Sequence, residues 1–170
     1  TVGAWVQQSG TFVAPVSSPA LRKIDSKLWD RADLRDWDGV DYGGDNDSAS
    51  EVQSAINATV GTVLHVPKGE IAVGTKINVP RMASIKGTLK DGQNYSEDAS
   101  FFLIAHGGVG FECLTAGGAR SFKNINTWRI QPASSPGWSP NDHDYDFKVV
   151  GAQDIYFENI HLANATRGIY

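Results

Sequence analysis

Two stretches of this chain repeat each other. Gly110-Phe111-Glu112-Cys113-Leu114 is matched by Asp146-Phe147-Lys148-Val149-Val150, and Phe122-Lys123-Asn124-Ile125 by Phe157-Glu158-Asn159-Ile160, at offsets of 36 and 35 residues. In each copy a short turn separates two strands: Ala116-Gly117-Gly118-Ala119 in the first, Gly151-Ala152-Gln153-Asp154 in the second. One such strand-turn-strand unit cannot bury its apolar face alone, whereas stacked copies can. The spacing therefore predicts a solenoid in which Phe111 lies on Phe147, Phe122 on Phe157 and Ile125 on Ile160. Neighbouring strands should be parallel and about 4.8 Å apart.

The repeat is longer than the roughly 20–30 residues of a bare solenoid coil. The excess lies in Gln131–Asp144, QPASSPGWSPNDHD. Insertions in solenoids emerge as loops on one face, often the binding face. Trp138 offers a flat apolar surface suited to the C–H face of a sugar ring, and Asp142, His143 and Asp144 can hydrogen-bond hydroxyls. These four are the candidate substrate-binding residues. The structural alternative is an exposed Pro-rich loop held by one buried Trp.

Upstream, Val40–Pro80 has a fixed order of parts. An acidic-glycine turn, Asp41–Asp47, precedes an amphipathic segment, Ser48–Ala58, with Ala49, Val52, Ala55, Ile56 and Thr59 on one helical face. Ser48 and Glu51 have capping-box spacing, Asp47 is a second possible N-cap, and Gly61 ends the helix. A strand over Thr62–Val66 then closes at Pro67-Lys68-Gly69. A second strand pair, Glu70–Val73 and Lys76–Val79, closes at Pro80. Before this stretch, Thr1–Pro19 reads as an apolar arm that either lies on the domain or packs against its own copies. Leu21–Arg31 reads as a short helix and Ala32–Trp37 as a strand. Asp33, Asp36 and Asp38 suit turn and cap roles better than a metal site. After it, Ser84–Gly87 and Phe101–Ala105 read as strands around a polar loop, Lys90–Ser100.

The pieces Leu34-Arg35-Asp36-Trp37, Asp41-Tyr42-Gly43, Asp45-Asn46-Asp47, Ala55-Ile56 and Val66-Pro67-Lys68-Gly69 follow one another in an order that resembles the opening of the pectate-lyase-like superfamily. The pattern is nearest its phage tailspike and capsular depolymerase branch, and the resemblance covers roughly residues 21–170. It implies a mainly β fold: the first coils of a right-handed parallel β-helix, with an N-terminal arm (1–20), a short capping α-helix, and a body (21–170) truncated at its C-terminal end, where His161–Tyr170 reads as the start of another coil. It implies a homotrimer in a phage virion tail, assembled in the bacterial cytoplasm and joined to other tail proteins through its N-terminal side. The parent protein would recognise and depolymerise a bacterial surface polysaccharide, O-antigen or capsule. Catalytic carboxylates in that family often come from later coils, so the catalytic residues stay unknown and the fragment is expected to be inactive alone. The competing readings are a structural tail adaptor with no enzymatic site, and a secreted polysaccharide lyase or glycoside hydrolase of the same superfamily.

Composition narrows the alternatives. A net charge of −4 offers no broad basic surface for nucleic acid, and no apolar run approaches the ~18 residues of a membrane span. The single Cys113 excludes an intramolecular disulfide framework and reads as a core thiol. One cysteine suits a reducing cytoplasm, and no signal peptide is visible, although the sequence starts at Thr1. His65, His106 and His161 are isolated, and His143 lacks the neighbours of a metal motif, so no metal and no cofactor are expected. Glycoside hydrolysis usually needs two carboxyl groups. Asp142, Asp144, Asp154 and Glu158 are present but unpaired by sequence. Lys123, Arg129 or Lys148 are the cations that a lyase would use against a uronate.

Overall fold

The computed structural model describes residues 11–12, 22–23, 32–88, 99–114 and 116–170. Two short strands, β1 (Thr11–Phe12) and β2 (Arg22–Lys23), pair antiparallel. The helix expected over Leu21–Arg31 is therefore not continuous, since Arg22 and Lys23 are extended. Its other residues, like most of the arm and of the Lys90–Ser100 loop, lie outside the described residues.

The body is built from parallel strands in three ladders. The first holds β7 (Ile77–Asn78), β10 (Phe111–Cys113), β12 (Tyr145–Val149) and β14 (Arg167–Ile169). The second runs through β3 (Ala32–Asp33), β5 (Val63–His65), β8 (Ser84–Lys86) and the first halves of β11 (Arg120–Arg129) and β13 (Ile155–Ala163). The third runs through β4 (Gly43–Asp47), β6 (Gly69–Val73), β9 (Ser100–Ile104) and the second halves of β11 and β13. From β5 onwards the chain visits the ladders in turn, coil upon coil. This is a parallel β-helix, as the repeat requires.

The register is the predicted one. Phe111 pairs with Phe147, Phe122 with Phe157 and Ile125 with Ile160. The rings of Phe111 and Phe147 stack at 5.2 Å and those of Phe122 and Phe157 at 5.3 Å. Phe102 meets Phe111 edge-on, and Phe122 meets Phe147 edge-on, so the aromatic core is continuous across the coils. Leu64, Ile71, Ile77 and Ile85 continue that core towards the N-terminal end.

Corners are set by a few residues. β11 bends at Asn124 (φ 56°) and β13 at Asn159 (φ 51°), left-handed positions that Asn tolerates well. Asn159 Nδ2 donates to Asn124 Oδ1 at 3.1 Å, so the two bends are also tied by a side-chain ladder. One coil earlier the corner residue is Gly87, where a Cβ would lie 2.2 Å from Asn124 O. Only glycine allows that backbone approach.

Between β4 and β5 lies α1 (Ala49–Ala58), with Ala49, Val52, Ala55 and Ile56 buried. It sits at the β7 end of the first ladder. The capping box expected of Ser48 and Glu51 does not form. Ser48 Oγ accepts instead from Asp41 N–H at 2.9 Å, and Asp47 Oδ1 accepts from Ala49 N–H at 3.0 Å. Other expectations are corrected too. The strand placed at Ala32–Trp37 stops at Asp33, whose carboxylate caps a 3-10 turn, Leu34–Asp36; Arg35 beside it holds that carboxyl below its ordinary range. The acidic-glycine turn is tight only around Asp41, which accepts from the N–H groups of Gly43 and Asn46, and Gly43–Asp47 runs on as β4 with irregular register. Glu70–Val73 and the β7 segment do not pair with each other, because a corner sends them to different ladders.

Candidate functional site

The inserted loop leaves the helix after β11 and returns at β12, and one guanidinium holds both of its ends. Arg129 Nε donates to Asp146 Oδ1 at 2.7 Å, and both side chains are wholly buried. Asp146 Oδ2 accepts from Thr127 Oγ1 at 2.5 Å. Arg129 Nη1 donates to His106 O at 2.6 Å, and Nη2 donates to Asp144 O and Tyr145 O at 3.1 and 3.2 Å. A buried charge pair is tolerable when its remaining hydrogen-bonding groups are satisfied, as they are here. Burial, reinforced by the Arg129 charge, lowers the His106 pKa, which favours a neutral imidazole beside this cation.

Within the loop, Gln131 acts as a clasp. Its Oε1 accepts from Asn141 N–H at 2.7 Å, and its Nε2 donates to Asn141 O and Asn164 O at 3.2 Å each. Thr166 Oγ1 donates to Asn141 O at 2.7 Å. The loop is thus fastened to the turn between β13 and β14, one coil further on. Trp138 N–H closes a turn on Ser135 O at 2.8 Å, and the indole Nε1–H donates to Pro132 O at 2.8 Å. With its N–H occupied, the 46% exposed Trp138 presents its ring rather than its polar edge. Between loop and turn lies a groove of about 490 Å³ lined by Gln131, Pro132, Ser134, Trp138, Pro140, Asn164, Ala165 and Thr166. Its size falls in the range of small-ligand clefts.

The four residues singled out in the sequence divide. Trp138 lines the groove. Asp142 does not; its Oδ2 accepts from Arg167 Nη2 at 2.9 Å. His143 Nε2 meets Ile130 O at 3.1 Å, with the ring nitrogen as donor. Asp144 Oδ1 accepts from Tyr145 N–H at 2.8 Å, and its own N–H donates to Gly107 O at 2.9 Å. These three side chains hold the loop in place. Gln131, Ser134, Asn164 and Thr166 line the groove and were not singled out, because the turn that supplies two of them reaches the loop only through coil stacking. Trp138 is half exposed rather than buried, and its indole N–H still ties the loop to Pro132 O.

Glu158, Lys123 and Lys148 are likewise engaged, whereas Asp154 is exposed at a left-handed turn position (φ 54°) and its carboxylate makes no hydrogen bond or ion pair among the described residues. Glu158 Oε1 accepts from Lys123 Nζ at 2.5 Å. Glu112 pairs with Lys76, and Lys148 lies 3.9 Å from it. Arg129, considered above as a uronate neutraliser, is buried in the loop root and cannot meet a substrate. Among the described residues no three His, Cys, Asp or Glu side chains gather as a metal-binding group, and no helix is long and apolar enough to cross a membrane.

No protein-family model matches the sequence, and no curated protein matches it. Solved structures do match in fold. Tailspike protein 3 of bacteriophage CBA120 superposes with a TM-score of 0.62 at 13% identity, over 92% of this chain and 24% of that one. ORF18 of Geobacillus virus E2 gives 0.59 at 15% identity, over 89% and 32%. PfbA, a surface adhesin of Streptococcus pneumoniae, gives 0.59 at 13% identity, over 78% and 33%. The chain spans a third or less of each of these proteins. It shares their fold, a parallel β-helix.

Proposed function

We propose that this chain belongs to a phage tailspike, residing in the virion tail, that recognises a bacterial surface polysaccharide, O-antigen or capsule. The observation that carries the reading is the exposed Trp138 ring over a groove, on a loop inserted between β-helix coils and held there by Arg129, Gln131 and Thr166. An aromatic face beside amides and hydroxyls suits a sugar ring. The tailspike and phage-protein likeness in fold supports a tail location.

The chain binds without cleaving. Asp142, Asp144 and Glu158 are already held by Arg167, Tyr145 N–H and Lys123, and neither they nor Asp154 line the Trp138 groove, which leaves no carboxyl pair there to act as the acid and base that hydrolysis needs. The alternative of a structural neck module draws on the same three contacts. For assembly, Val60, Met82 and Tyr156 are exposed apolar side chains beside one corner of the helix. They supply an apolar surface for a homotrimer closed by a three-fold axis, assembled in the bacterial cytoplasm, with the N-terminal side directed to other tail proteins.

The test is binding of purified surface polysaccharide from the phage host, comparing wild type with Trp138→Ala. The expected outcome is a loss of at least about tenfold in affinity with an unchanged melting temperature and no release of oligosaccharides by either protein. Equal binding by both removes the groove from the binding reading. Unchanged binding with a lowered melting temperature makes the loop structural.

A further inference from the structure

We infer that the Trp138 groove takes an uncharged sugar residue and discriminates against a uronate or phosphorylated one. The inference rests on the glycan-binding reading and narrows it to a substrate class.

Every residue lining the groove is neutral. The cation nearest in sequence, Arg167, follows the lining residue Thr166, but its guanidinium is held by Asp142. An anionic group resting on the Trp138 ring would lose part of its hydration without gaining a free positive partner in return. It would also approach a chain of net charge −4.

The polar groups point the same way. The indole N–H, the Gln131 amide and the Thr166 hydroxyl are spent on Pro132, Asn141, Asn164 and one another. The Ser134 hydroxyl and the Asn164 side-chain amide make no hydrogen bond within the described residues. Asn164 is held at φ 57°, in the turn that faces the loop. One amide, with a donor and an acceptor, and one hydroxyl match sugar hydroxyl or acetamido groups. The remaining surface is the Trp138 ring with Pro132 and Pro140, which suits the apolar face of an uncharged pyranose.

The test uses the 170-residue chain in calorimetric titrations against two size-matched oligosaccharides that differ only at C6: oligogalactose and oligogalacturonate. The neutral oligomer should bind at least about tenfold more tightly, with a Kd unchanged between about 0.05 and 0.5 M NaCl. Asn164→Gly, which removes the side-chain amide and keeps the left-handed backbone, should weaken it several-fold with little change in the melting temperature. Equal or tighter binding of the galacturonate oligomer, or affinity that falls with salt, overturns the inference and leaves the glycan reading intact. Silence towards both oligomers and towards host polysaccharide overturns both.

Discussion

The Gln53 side chain pairs with both backbone groups of Asn78. Its Nε2 donates to Asn78 O at 2.8 Å, and Asn78 N–H donates to its Oε1 at 2.7 Å. Asn78 lies in β7, the terminal strand of its ladder. A primary amide offers the same donor and acceptor as a peptide group, so one side chain of α1 replaces the missing neighbouring strand at that point. An open strand edge is a template for foreign strands, and this contact helps to close it.

Gln53→Ala should therefore destabilise the fold by about 1–2 kcal/mol, the sum of two ordinary hydrogen bonds, and should raise its tendency to associate. Urea unfolding with light scattering measures both. A loss under about 0.3 kcal/mol would mean that water serves the edge as well as Gln53 does.

The helix has a second duty on its inner face. Ile56 is 1% exposed and belongs to the core cluster. Ile56→Asp puts an unpaired charge there and should cost about 3–5 kcal/mol. Ser54→Ala, on the exposed face, should stay within about 0.5 kcal/mol. Similar losses for the two in chemical denaturation would contradict the helix orientation.

At the loop root, Arg129→Met leaves Asp146 charged and buried and should cost about 3–5 kcal/mol. Arg129→Met with Asp146→Leu should recover much of that stability, because no lone charge remains. The double variant still lacks the bonds to His106 O, Asp144 O and Tyr145 O. Its loop amides should therefore exchange faster in deuterium than those of wild type while the global melting temperature recovers. A double variant as unstable as the single one would contradict this account.

Burial pushes the Cys113 thiol up to about 11 from its ordinary value near 9. The native state thus keeps a proton that the unfolded state gives up between those values. The stabilisation is fully present below pH ~9 and fades as pH rises towards ~11. Tyr42, pushed up to about 12 by burial, adds a loss of the same sign at higher pH. Cys113→Ala should flatten the first part of the alkaline decline, as read by unfolding titrations from pH 8 to 11, and native Cys113 should resist a disulfide reagent at pH 8 until the chain unfolds. An identical alkaline profile for the variant would rule the thiol out as its source.

Like side chains at stacked positions were legible in the sequence. Phe111 and Phe147, Phe122 and Phe157, and Ile125 and Ile160 occupy one environment repeated along an axis, and the same packing demand selects the same residue. The helix over Ala49–Ala58 was legible for a related reason, since its apolar spacing is local. In the earlier coils the strands were legible, at Val63–His65, Gly69–Val73, Ile77–Asn78, Ser84–Lys86 and Ser100–Ile104, but their stacking was not. Ala32, Leu64, Ile85 and Phe122 stack in one column, but corners of unequal length separate them and any apolar residue fills the space. The roles of Asp142, His143, Asp144 and Arg129 were also hidden. A polar residue chooses its partner by distance: Arg167 and the backbone oxygen of His106 are brought near by coil stacking, and that of Ile130 by closure of the loop. The periodic chemistry of the chain thus determined a parallel solenoid with one inserted loop. Only the tertiary structure decided that Trp138 faces a groove while the charged residues around it hold the loop, because that depends on which turn of the next coil lies within hydrogen-bond reach.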